Sequence, residues 1–397
     1  MHIYERLGVR PVINARSFST KLGGCALPGE VLDAMREASD SCVRMDELQE
    51  AASRIIAEAT GAEAGMVTSG ASAGLTLAAA ACLAGFDVTR MNRLPDTTGM
   101  KNEIIVHRSH RNDYDHALRA AGARFVEVGF HYYTFPYEVE SAIGPATAAL
   151  FYQASGEGCG LPLDQFANIG HKHQLPVIVD AAAELPPRDN LKAFVAAGAD
   201  LVAFSGGKHL RGPQSTGILC GRRDLILSAM LQHQDMDVFP ESWPLLQLIA
   251  DGVLAGPPHH GIGRGFKVGK EEIAGLLTAL QLYPQRDLKA ECRLWMNDMK
   301  SVVSELRDLP GVTARVIYPQ PDGREVPHAW ITIDFKLTGL NANAIIRALQ
   351  EGDPPICVFE RLADSGTIVI MPEALRPGEA LIVGRRLKQI LTSTRST

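Results

Sequence analysis

The chain has 397 residues, 46% hydrophobic and 21% charged, the balance of a globular enzyme long enough to bury a large core divided between two domains. A formal net charge of −6 offers no basic face, so a nucleic-acid partner is not expected. Seven scattered cysteines without a CxxC pair argue against a disulfide framework, residues 1–6 lack a signal-peptide pattern, and the longest apolar stretch, residues 75–86, is too short to span a bilayer; a cytoplasmic protein away from membranes is expected.

Residues 1–25 read as short extended pieces broken by Gly8, Pro11, Gly23 and Gly24. Residues 27–60 read as helical, with Pro28 near the start and Gly61 as the stop. Strands at 64–68, 103–106, 124–128, 147–152, 177–180 and 201–204 then alternate with helices at 72–84, 113–121, 139–143, 163–174 and 191–197. Several of these strands are continuous apolar runs, as in a parallel sheet covered on both faces. The Gly/Pro-rich stretch 256–265 reads as a loop. Helices follow at 271–282 and 285–309, strands at 313–318, 328–334 and 367–371, and helices at 343–351 and 378–394. The expected class is α/β, organised as an N-terminal arm and helix (1–50), a large domain (51–284) and a small α+β domain (285–397).

Two apolar runs end in charged groups. Val177-Ile178-Val179 leads into Asp180, and Leu201-Val202-Ala203-Phe204 leads through Ser205-Gly206-Gly207 into Lys208. Buried charges are expensive, so a lysine seldom ends a core strand without a task. One helix and one strand separate the two residues, and in a parallel sheet the C-terminal ends of neighbouring strands converge on one crevice. A lysine able to form a Schiff base and an aspartate able to pair with a pyridinium nitrogen are the groups that pyridoxal phosphate needs. Spacing alone equally permits Asp180 as a helix cap and Lys208 on a solvated loop; the glycines beside Lys208 favour a ligand. Ser69-Gly70-Ala71-Ser72 lies where a strand turns into an alanine-rich helix, a phosphate cradle or an ordinary serine-capped turn. His110, or secondly His107, is a candidate to stack on a planar ring, and Ser205 a candidate phosphate donor. Arg264, in the basic glycine-rich run 263–270, suits a carboxylate or phosphate. Asn14 and Arg16 are further candidates for the substrate pocket. His171-x-His173 and His259-His260 lack companion ligands at metal spacing, so no metal site is expected.

Residues 4–15, the turn at 68–74, Val179-Asp180-Ala181-Ala182-Ala183, Phe204-Ser205-Gly206-Gly207-Lys208 and Phe266-Lys267-Val268-Gly269-Lys270-Glu271-Glu272 resemble the SelA-like branch of fold-type I pyridoxal-phosphate enzymes. That branch includes D-glucosaminate-6-phosphate ammonia-lyases and L-seryl-tRNA(Sec) selenium transferases. The resemblance implies a mostly parallel, seven-stranded-type sheet with a smaller C-terminal domain, Lys208 as the Schiff-base lysine, and Asp180 as the pyridinium partner. It also implies phosphate binding at Ser69–Ser72 and Ser205, and a homodimer or higher homo-oligomer. Ser17 stands where the branch leads one to expect glycine, which points to a different substrate if that segment lines the pocket. With no tRNA-binding segment ahead of Tyr4 and an acidic charge, selenium transfer is not expected. The expected activity is α,β-elimination of a small hydroxy amino acid or amino-sugar acid to a 2-oxo acid and ammonia. Racemisation and retro-aldol cleavage need the same two residues and stay open, as does a non-catalytic protein of this fold.

Overall fold

The computed structural model describes residues 3–24, 26–156, 158–321 and 323–393. Its strands are, in chain order, β1 (Ile13–Ala15), β2 (Ala64–Thr68), β3 (Glu103–His107), β4 (Arg124–Val128), β5 (Thr147–Gln153), β6 (Val177–Asp180), β7 (Leu201–Ser205), β8 (Gly217–Gly221), β9 (Val312–Ile317), β10 (His328–Ile333), β11 (Ile356–Val358) and β12 (Thr367–Ile370). Contacts divide the chain into two units. One runs from Leu27 to Pro284; the other joins the N-terminal segment through Ala26 to everything from Gln285 onward.

The larger unit is built on a seven-stranded sheet ordered β2-β8-β7-β6-β5-β3-β4. Strands β7, β6, β5, β3 and β4 are mutually parallel, and β8 is antiparallel to both of its neighbours. Reversing direction twice through β8 returns β2 to the direction of β7, so six strands end at one edge. Two of the runs that read as strands are buried throughout, β2 and β6, and so is β8. The helix Ala71–Ala84 lies across β5, β6, β7 and β8. Its small alanines let it approach closely, and it is buried nearly all round.

The helical stretch read at 27–60 is two helices, Gly29–Ser39 and Met45–Thr60, with residues 40–44 between them. The first packs on Lys270–Leu282 and the second on β2, so residues 27–50 pack with the larger unit. The strand β8 and the helix Arg223–Leu231 lie beyond the predicted elements.

The smaller unit holds an antiparallel sheet, β12-β10-β9, and a parallel pair, β1-β11. The pairing Ile13↔Ile356 through Ala15↔Val358 fixes the N-terminal segment to this unit. Helices Leu288–Glu305, Ala342–Glu351 and Glu379–Ser393 cover the sheets through a core that includes Met299, Ile331, Ile345, Ile370 and Leu387. No described helix is long and apolar enough to cross a membrane.

Candidate active site

The shared sheet edge gathers the chemistry-bearing residues of the larger unit. Thr68 and Ser205 end β2 and β7 and flank the same residue, Gly217 of β8, in the register. Asp180 ends β6 opposite Ala203 on one side and Gln153 on the other. His107 ends β3. Gly217 has a steric reason: a Cβ there would lie 2.5 Å from the carbonyl carbon of Gly70 and 2.6 Å from the nitrogen of Ala71. Only glycine lets β8 run under the turn that opens the helix Ala71–Ala84.

That turn leaves the first backbone N–H groups of the helix without intrahelical acceptors, since the ladder starts with Gly74 N–H donating to Gly70 O at 3.0 Å. Thr68 Oγ1 donates to Gly70 O at 2.9 Å and pins the turn. Added bulk at Gly70 would meet nothing within 4 Å, so the cradle opens on free space. The geometry and charge suit a phosphate, which the helix N-terminus favours.

Asp180 is 4% exposed, and its Oδ1 accepts the Ala182 N–H at 2.9 Å. Burial pushes its carboxyl above the usual range; the Ala182 hydrogen bond and the charge of Lys208 pull in the opposite direction. Lys208 is thus close enough to act on Asp180. The Lys208 turn is closed by backbone bonds from Arg211 N to Lys208 O and from Gly212 N to Gly206 O, each 2.9 Å. A buried carboxylate at the end of β6 fits a cationic ring nitrogen as its partner. The residues present therefore fit pyridoxal phosphate at both ends, phosphate and pyridinium.

His110 is buried, and its Nδ1 accepts the Gln153 N–H at 3.3 Å. Gln153 neighbours Asp180 in the sheet, which brings His110 to within one strand of the carboxylate. Asn112 Nδ2 donates to Gln153 Oε1 at 3.0 Å. Gln153 was not singled out from the sequence; its signal is a polar residue closing an apolar run, the same pattern that marked Asp180.

Arg264 lies in the short helix Ile262–Phe266, and its Nη2 is 2.7 Å from Asp235 Oδ2, so its guanidinium already holds a carboxylate of this chain. Asn14 and Arg16 belong to the smaller unit. Asn14 Nδ2 donates to the carbonyls of Ser17 (2.9 Å) and Gly24 (3.1 Å), and Arg16 Nη1 is 2.6 Å from Glu360 Oε1. His171 pairs with Asp200 at 2.9 Å and His173 with Glu140 at 2.7 Å. Asp235, Asp237 and His260 bring ligand atoms within 4.8 Å of one another, all exposed.

Six strands ending at one edge, with a lysine, a buried aspartate and a phosphate-type turn gathered there, define the fold-type I class of pyridoxal-phosphate enzymes. A family model described as "SelA: L-seryl-tRNA selenium transferase" matches residues 19–237, and the chain belongs to that family. It is similar to 5'-C-glycyluridine monooxygenase-decarboxylase of a Streptomyces species, 36% identical over 98% of this chain and 92% of that one. It is also similar to D-glucosaminate-6-phosphate ammonia lyase of Salmonella typhimurium, 32% identical over 98% of both. A solved structure of a D-glucosaminate-6-phosphate ammonia-lyase superposes with a TM-score of 0.83 at 31% identity, covering 100% of this chain and 99% of that one.

Proposed function

We propose that the chain is a pyridoxal-phosphate-dependent lyase that releases ammonia from a small hydroxy amino acid or amino-sugar acid. The observation that carries this reading is the convergence of Asp180, Lys208 and the Ser69–Ser72 turn on one sheet edge. The full-length likeness to an ammonia lyase supports it. The cofactor, when bound, supplies an electron sink that stabilises negative charge on the substrate's α-carbon.

The chain's own groups do the rest. The backbone N–H groups of Ala71 and Ser72, with the hydroxyls of Ser69, Ser72 and Ser205, hold the phosphate. Asp180 keeps the ring nitrogen protonated. Lys208 Nζ anchors the cofactor and then takes the substrate's α-proton. His110 covers one face of the ring. Loss of the β-hydroxyl as water gives an enamine, which takes up water and leaves as a 2-oxo acid and ammonium, so the net reaction consumes the substrate alone. Arg264 anchors a substrate anion by exchanging Asp235, an exposed ion pair that holds it weakly. Arg16 becomes a substrate contact when Glu360 releases it in the same way, and Asn14 when its Nδ2 gives up the Ser17 and Gly24 carbonyls. The assembly is a homo-oligomer.

A second reading is favoured by the 36% identity to a monooxygenase-decarboxylase: the same electron sink serves loss of a carboxylate, with dioxygen as oxidant. One screen separates the two. Purified protein loaded with pyridoxal phosphate is offered D- and L-hydroxy amino acids, D-glucosaminate 6-phosphate and 5'-C-glycyluridine. Ammonium with 2-oxo acid, and no oxygen uptake, marks the lyase. Carbon dioxide with oxygen consumption marks the second reading and sinks the first. Borohydride reduction followed by peptide mapping is expected to label Lys208; a reducible adduct that persists in Lys208→Ala removes that residue from the scheme.

A further inference from the structure

Behind His110 lies a second histidine that the scheme above gives no task. His107 ends β3 and is fully buried. Its Nδ1 is 3.0 Å from Thr134 Oγ1, whereas its Nε2 is buried without a hydrogen-bond partner among the described residues. The ring packs on Phe166 with centroids 4.3 Å apart and meets the His110 ring edge-on at 4.7 Å and 74°. Gly160, at φ 129°, closes over it; a Cβ there would lie 3.1 Å from His107 Cγ. An unsatisfied buried nitrogen costs about 1–3 kcal/mol, so packing alone would be served better by an apolar ring. Burial and the neighbouring His110 push the His107 pKa down to about 3, which keeps the ring neutral at working pH.

His110 is gripped from two sides. Tyr152 meets it edge-on at 4.6 Å and 88°, and His107 does so from another side. The Gln153 N–H, donated to Nδ1 at 3.3 Å, adds a third hold on the ring.

We propose that His107, anchored by Thr134, is a positioning residue that sets the plane of the His110 ring. This rests on the reading of His110 as the residue that covers the cofactor ring. Thr134 matters because it holds one rotation of the His107 ring: turning that ring over exchanges Nδ1 for a carbon and loses the bond. The chain of contacts runs from the loop after β4, through Thr134 and His107, to His110.

Three variants test it, by histidine ring-nitrogen NMR on the cofactor-free protein and by titration with pyridoxal phosphate. His107→Phe keeps the ring and removes both nitrogens, and Thr134→Val removes the hydroxyl at constant shape. Each is expected to shift and broaden the His110 ring-nitrogen signals and to weaken cofactor binding about tenfold, the scale of one lost hydrogen bond. Unchanged His110 signals and unchanged affinity in both would show that His107 only fills space, and would overturn the inference. If His107→Phe does not fold, Thr134→Val decides alone. His110→Ala tests the underlying reading separately: should it leave cofactor affinity and the visible absorbance band as in the wild type, His110 does not cover the ring, while the NMR of the other two variants still reports whether His107 holds its ring.

Discussion

Ser17 occupies backbone space that an L side chain rarely enters, with φ 65°. That conformation costs about 1 kcal/mol relative to glycine. Its hydroxyl donates to Glu373 Oε1 at 2.8 Å, and Glu373 Oε2 is buried with no partner among the described residues. Burial pushes the Glu373 carboxyl up, against its own backbone N–H, Ser17 and the charge of Arg324. A carboxyl raised in the fold is penalised when ionised, so this unit loses stability as pH climbs from the ordinary carboxylate range through the raised value. Ser17→Gly removes both the strain and the hydrogen bond. At the acid end of that window the two nearly cancel. At the alkaline end the lost bond is to a charge, and a net loss of about 1–2 kcal/mol is expected. Glu373→Gln should remove the slope and gain on the wild type as pH rises. Thermal unfolding across pH measures both; a wild-type-to-Gln difference that does not change with pH sinks the account. His107 works in the reverse direction. Its folded pKa of about 3 lies below that of a free histidine, so its contribution is intact above about pH 6.5 and is lost as the unfolded chain takes up a proton below that. His107→Phe is expected to flatten the acid limb of stability by about 3–5 kcal/mol between those limits, read from denaturant midpoints.

At the scale of elements, Gly217 is the most exposed to test. Gly217→Ala places a methyl within 2.6 Å of the Gly70–Ala71 backbone, so the turn must shift. Overpacking of this kind costs about 1–3 kcal/mol, and the same shift moves the first N–H groups of the helix Ala71–Ala84. Cofactor affinity is therefore expected to fall at least as sharply as stability, about tenfold or more. Equal cofactor affinity in a destabilised Gly217→Ala would mean that the turn does not bind the phosphate. The strand carrying Gly217 was itself unreadable: Gly-Ile-Leu-Cys-Gly is five residues bounded by glycines, with no alternation and no partner visible in sequence. β11 was missed for the same reason, three residues whose pairing with β1 is 343 positions distant. The long parallel strands were legible because burial on both faces writes itself as an apolar run. The break at residues 40–44 was not, since neither proline nor glycine marks it. For the candidate site, Asp180 and Lys208 stood out as charges at the ends of such runs. Thr134, by contrast, sits in a loop whose sequence carries no sign that its hydroxyl reaches His107.

Across the molecule, a site shaped for a charged ligand costs stability until that ligand arrives, and Asp180 makes this measurable. Its carboxyl is raised by burial, offset in part by the Ala182 N–H and the Lys208 charge, so the cofactor-free protein loses stability as pH rises above the ordinary carboxylate range. Asp180→Asn keeps the acceptor for Ala182 and removes the charge. Without cofactor, the variant is expected to be the more stable protein, increasingly so as pH climbs from the ordinary carboxylate range through the raised value. Pyridoxal phosphate at a hundredfold excess over its dissociation constant stabilises the wild type by about 2.7 kcal/mol, because it binds the folded chain and not the unfolded one. On the proposed role of Asp180 the variant lacks the charge set against the ring nitrogen, so it gains less, and the order of the two melting temperatures reverses on loading. Two outcomes would remove Asp180 as the partner of the ring: a variant less stable than the wild type at every pH without cofactor, or an equal cofactor-induced shift in both proteins. The reversal is the sharper signature, since neither a packing defect nor a general loss of folding produces a protein that is stronger empty and weaker filled.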